Sequence, residues 1–227
     1  MTSAGHHSMM GGKRVLPYDA EVEYIETDGN AFVNTGLFPD NGTGVKIDFM
    51  CNKLNRANHL FGSVDASGYR FEAFVRTTNA ETKNMSWYWF SSSAQNINDG
   101  VAWYGRRATI EMNYMNSRKG LVDSVELVSF EDSSVTLSTP VYLIGYDSNG
   151  SATVSQDLRL YSAQFTSGTV LVRDFIPVRF TNENGVSEGA LYDRANPTVG
   201  MNPDGTARTD GLYRNRGTGA FTIGPDI

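Results

Sequence analysis

Apolar and polar residues alternate along most of this chain with a period of two, in short runs broken by Gly, Asn, Asp and Ser. That period belongs to strands that hide one face from water. The segment "GVKIDFMC" shows it most cleanly, with Val45, Ile47, Phe49 and Cys51 on one face. "RATIEMNYM" sets Ala108, Ile110, Met112 and Tyr114 against Thr109, Glu111 and Asn113. "MSWYWF" is apolar on both faces, with Trp87 and Trp89 on one and Tyr88 and Phe90 on the other. This predicts a central or doubly covered strand.

Turn signals punctuate these runs. Asp28-Gly29, between "VEYIET" and "AFVNTG", predicts a tight hairpin, and Asn41-Gly42 marks a second turn. "DASG" separates "HLFGSV" from "YRFEAFV", the turn Asp147-Ser148-Asn149-Gly150 follows "PVYLIGY", and "SG" joins "DLRLYSAQFT" to "TVLVRDFIPVRF". No stretch sustains a helical period, so the prediction is an all-β, two-sheet antiparallel sandwich with little helix. Residues 1–20 read as a flexible N-terminal arm and residues 21–227 as one sandwich domain, since no composition shift or short repeat divides them. In the tail, Leu191-Tyr192 and the run from Ala220 to Ile223 read as short segments that close over the sandwich.

The totals refine this picture. A length of 227 residues with 40% hydrophobic residues is enough for one all-β core, and 23 glycines suit a chain with many turns. The formal charge of −6, from 19 Lys and Arg against 25 Asp and Glu, argues against nucleic acid or an anionic membrane as partner. There is neither the apolar core of a secretory signal nor a run long enough to span a bilayer, which predicts a soluble protein made in the cytoplasm. With one cysteine no intrachain disulfide forms, and Cys51 on an apolar face reads as a small buried hydrophobe.

"LPYDAEVEYIETDGNAFVNTG" near the start, then "RLYSAQFTSGTVLVRDFIPVRF", "GALYD" and "GTGAFTIGPD", resemble the opening and closing halves of concanavalin A-like, laminin-G-like jelly-roll domains. These occur in phage structural proteins and gut-bacterial proteins. The matches bracket residues 17–227, while the middle, roughly residues 53–140, matches in pattern only. The resemblance implies a jelly-roll sandwich whose first and last strands meet. It also implies a non-enzymatic role as a virion component, a fibre or decoration domain located in the phage particle. The expected partners are other virion proteins, docked through the N-terminal arm, and glycans. A homo-oligomer is compatible with this, although no coiled-coil heptads specify one. A free bacterial carbohydrate-binding module is the alternative, and a glycoside hydrolase the third reading.

Candidate chemistry is sparse. A glycosidase needs two carboxyl groups flanking the scissile bond, and some jelly-roll glucanases place acids at alternate positions of one strand. "EVEYIE" offers Glu21 and Glu23 on one face and Glu26 on the other, without a third acid in phase, so no catalytic residue is assigned. The resemblance suggests calcium, and Asp65, Asp147 and Asn149 offer oxygens, although each also suits an ordinary turn. The expectation is no cofactor, with calcium left open and no metal residue assigned. His6-His7 with Met9-Met10 reads as arm rather than a metal site, and His59 has no triad motif around it. Exposed aromatic rings stack on sugars, which makes Trp103, Tyr104, Trp87, Trp89 and Arg106 the candidate ligand-binding set. For Trp87 and Trp89 the core is the favoured reading. Trp103 and Tyr104 read as close to a loop, and Arg106 suits an acidic sugar or simple solvation.

Overall fold

The alternation in Thr43–Cys51 decides where the layers lie. Val45, Ile47, Phe49 and Cys51 are fully buried, whereas Lys46 and Asp48 point outward and pair with Glu111 and Arg107 of the neighbouring strand. This strand lies between Arg107–Met112 and Leu158–Ser167, antiparallel to both. The computed structural model describes residues 15–27, 29–51, 57–77, 83–97, 105–148, 151–154 and 158–227.

Among the described residues the larger sheet has 13 strands and the smaller 8. From Thr43–Cys51 the larger sheet continues through Leu158–Ser167, Val170–Thr181, Ser187–Asp193 and Leu212–Arg214. The smaller runs from Ser151–Val154 through Gly145–Ser148, Ala57–Val64, Arg70–Thr77 and Lys83–Ser91 to Gln95–Ile97. One hydrophobic cluster joins the sheets, with Phe61, Phe71 and Trp87 from the smaller and Phe49, Phe165, Phe175 and Tyr213 from the larger. The arrangement is the expected sandwich. No helix among the described residues is long and apolar enough to cross a membrane.

The two ends of the sandwich meet, as the resemblance implies. Ile25 pairs with Ile223, and Val22 bridges to Asp226. A second cluster lies on the other face of the larger sheet, where Ile176, Val178, Phe180, Ala190, Tyr192 and Leu212 pack with Tyr18. Residues 1–14 of the expected arm lie outside the described residues. Its last part belongs to the sandwich, for Asp19 N–H donates to the Arg179 carbonyl and Ala20–Glu21 pairs with Val170–Thr181.

Several expectations are corrected. The segments around Asp28-Gly29 do not form a hairpin, because Ile25–Thr27 joins the larger sheet and Val33–Asn34 the smaller. The Thr27 hydroxyl holds the crossover, accepting from Gly29 N–H and donating to the Ala31 carbonyl. Phe90 does not face away from Trp89. A bulge with Phe90 at φ 45 places both rings on the core side, where Phe71 meets them at 5.8 and 5.2 Å. Tyr114 leaves the face it was expected to share with Ile110, because Asn113 turns left-handed and the chain enters the short 3-10 turn Tyr114–Asn116. The pairing is also not wholly antiparallel: Gly145–Ser148 runs parallel to Ala57–Val64, and Gly200–Met201 parallel to Leu212–Arg214. Cys51 is buried as expected, with the Asn58 amide donating to its sulfur at 2.9 Å.

Tyr213 carries a testable cost. Its hydroxyl is buried beside Arg173 without a well-formed hydrogen bond among the described residues, and burial, which outweighs the opposing Arg173 charge, raises its pKa to about 12. An unfolded tyrosine ionises near pH 10, so above that pH the unfolded chain sheds a proton the folded chain keeps. Stability contributed by the neutral phenol is therefore lost between about pH 10 and 12. Tyr213→Phe is expected to leave neutral-pH stability unchanged or raise it by about 1 kcal/mol. It should also reduce the alkaline loss, as urea denaturation across that range would show.

Candidate functional site

The strand Arg70–Thr77 turns Phe71, Ala73 and Val75 into the core and Arg70, Glu72 and Phe74 outward. Register places Glu72 beside Tyr88 on one neighbour and Gly62 on the other, with Phe74 beside Ser86 and His59. A bulge between His59 and Phe61 keeps His59 outward while Leu60 and Phe61 both enter the core. Tyr146 arrives from Gly145–Ser148, alongside Gly62. Five side chains around one carboxylate thus come from four strands.

Glu72 is fully buried, although it stands on the outward face. Both of its oxygens are engaged: His59 Nδ1–H donates to Oε1, and Arg70 Nη1 donates to Oε2 at 3.1 Å. A buried carboxylate needs such pairing, because its desolvation otherwise exceeds what folding can offset. Rings enclose the group. His59 lies 4.5 Å from Tyr146 and 4.9 Å from Phe74, and Phe74 stacks beside Tyr88 at 6.1 Å with 23° between planes. The Arg70 guanidinium lies 5.0 Å from the Tyr88 ring and 5.7 Å from that of Tyr146, and its side chain stays 31% exposed. Phe74, Tyr88 and Tyr146 are half-buried. Beside them the Ser86 hydroxyl donates to the Asn96 amide oxygen, while the Asn84 amide oxygen is buried without a partner among the described residues. The face combines half-buried rings, one partly exposed guanidinium and amides.

Most of this was hidden in the sequence. "FEAF" offers Glu72 as a solitary acid, and Tyr88 reads as one apolar residue of "MSWYWF". The available signal was Arg70, Glu72 and Phe74 at alternate positions.

The sequence-derived candidates do not converge. Trp87 is fully buried, and Trp89 is 8% exposed, stacked on Phe130 at 5.2 Å with its indole N–H donating to the Glu131 carbonyl. Both rings are core, and the stacking role considered for them is closed by that burial. Trp103 and Tyr104 lie outside the described residues. Arg106 is exposed at the start of a larger-sheet strand, where it pairs with Asp123 at 2.6 Å.

For calcium, the Asp65 carboxylate accepts from Ser67 and Tyr69 N–H, the turn arrangement rather than an open ligand. The Asp147 side chain and Asn149 lie outside what is described. Among the described residues no group of three His, Cys, Asp or Glu gathers as a metal site requires. Glu21 and Glu23 do reach one place, a cleft of about 400 Å³ on the opposite side of the sandwich, shared with Arg107, Tyr161 and Arg194. Arg107 is bonded to Asp48 and stacked on Tyr161 at 4.1 Å, Arg194 is paired with Asp174, and Glu21 accepts from the Tyr18 hydroxyl. Burial, then the bond to Glu21 and its charge, raise the Tyr18 pKa to about 12. Glu26 is paired with Arg159 at 2.7 Å.

Gly62 tests the packing of the outward cluster. A Cβ there would come closer to the Cβ of Tyr146 than contact allows and lie 3.1 Å from the Cγ of Glu72. Gly62→Ala is expected to destabilise by about 1–3 kcal/mol through overpacking. The measurement is thermal or urea denaturation, and an unchanged midpoint would contradict the packing described.

No family model matches the chain, and no curated protein matches it. Among solved structures it is similar to one described as "NanB plus Optactamide", at 11% identity and TM-score 0.41, over 81% of this chain and 38% of that one. It is similar also to a point mutant of NanB sialidase from Streptococcus pneumoniae, at 10% identity and TM-score 0.41, over 86% of this chain and 39% of that one. This chain therefore spans less than two-fifths of those structures' length, and a likeness so slight carries neither activity nor ligand to it.

Proposed function

We propose that this chain is a non-enzymatic carbohydrate-binding β-sandwich that takes a saccharide on the outward face of its smaller sheet. The observation that carries this is the half-buried pair Phe74 and Tyr88, stacked beside one another with Arg70 and the Asn84 and Asn96 amides around them. A pyranose has apolar C–H faces and a rim of hydroxyls. Rings cover the first, and fixed donors and acceptors pair the second. Glu72, the acid of this face, is buried with both oxygens bonded, which suits a positioning carboxylate rather than a general acid or base.

The motifs that resemble phage and gut-bacterial jelly rolls support a setting on a virion, with attachment to other particle proteins through the N-terminal arm. Mass spectrometry of purified particles tests that setting, and absence of the chain from them favours the free bacterial module.

Binding itself is tested on a glycan array followed by titration calorimetry. Phe74→Ala and Tyr88→Ala should each weaken the best array ligand about tenfold, equivalent to about 1.4 kcal/mol. Saturable binding that both variants leave untouched, or no saturable binding on a broad array, would overturn the assignment.

A further inference from the structure

Resting on that reading, we infer that the saccharide is acidic and that Arg70 takes its carboxylate or sulfate. A guanidinium presents five N–H donors in a planar fork, and one edge fits an oxyanion with two parallel bonds. Arg70 gives Nη1 to Glu72, and its remaining side-chain N–H groups meet no acceptor among the described residues. Its guanidinium lies beside the Tyr88 and Tyr146 rings, and its side chain stays 31% exposed, so it is open to a ligand while held in place.

Preorganisation is the second argument. An arginine free in solvent loses much rotamer freedom when it grips a ligand. Arg70 is already fixed by a buried carboxylate and two rings, and that carboxylate is fixed in turn by His59. A neutral sugar has no need of such an anchored charge, whereas a carboxylate or sulfate recovers the cation's lost hydration through charge-assisted bonds.

Charge supports the same partner. The outward positions of this strand are Arg70, Glu72, Phe74 and Arg76, two cations against one acid, and the acid is buried. In a chain of formal charge −6 this is a local reversal of sign. A local excess of positive charge there favours an anionic ligand over a neutral one.

The experiment is calorimetry on the full chain with three oligosaccharides of matched length: a neutral glucan, a polygalacturonate fragment carrying carboxylates, and a sulfated galactan fragment. At least one anionic probe is expected to bind about tenfold tighter than the neutral one, with that advantage shrinking as salt is raised. The stronger of the two identifies carboxylate or sulfate as the ligand group. Arg70→Gln, which keeps an N–H for Glu72 but removes the charge paired with it, should abolish the advantage and lower the melting temperature. If that variant does not fold, the salt dependence of the wild type decides instead. Equal affinity for neutral and anionic probes, or an advantage that survives Arg70→Gln or high salt, overturns the inference. Neutral binding that Phe74→Ala removes would then leave the platform standing without its charge preference. Loss of all binding in that array and titration would remove both.

Discussion

Each sheet in this protein needs the other to keep half of its side chains out of water. Thr43–Cys51 and Lys83–Ser91 show the dependence from the two sides. The first contributes four fully buried residues at alternate positions, and the second contributes Met85, Trp87 and Trp89 to the same layer. Removal of apolar area from water scales with the area buried, and large aromatics dominate that total. The polar face of each sheet is consequently free to vary, because the shared layer has already fixed register and strand direction. Both surface features follow from this, the charged cleft on the larger sheet and the ring cluster on the smaller.

How far the sequence anticipates this depends on whether a feature is local. The strand at residues 43–51 is legible because its alternation is complete and it has neighbours on both sides. The burial of Trp87 and the hairpin from Ser167 to Val170 are legible for similar reasons. Phe90 is not, because a bulge shifts the phase of a strand by one residue and no residue type announces it. The turn after Thr27 misleads because a dipeptide fixes how sharply the chain bends but not which sheet receives the next strand. That choice rests on Leu143 pairing with Val33, far along the chain.

The outward cluster was harder still. His59 reads as a histidine without a motif and Glu72 as an acid without a partner, and each becomes meaningful only beside the other. Their meeting depends on a bulge at Leu60, and Tyr146 joins them because Gly62 clears space for it and because of a parallel pairing that no local pattern specifies. The buried pair also distributes its energetics unevenly. A carboxylate held by two donors tolerates the loss of neither well, while the rings around it add contact area without fixing direction.

Where the ends sit has a mechanical meaning. Val22 bridges to Asp226, and Ile227 N–H donates to the Glu21 carbonyl, so incoming and outgoing chain share one rim of the larger sheet. The aromatic platform is on the other side of the sandwich. A pull on the residues around Val22 or Asp226 therefore acts on the larger sheet and not on the sheet that carries the ring cluster. Tension between the two ends would open the short Ile25–Ile223 ladder bond by bond before it strained the layer between the sheets.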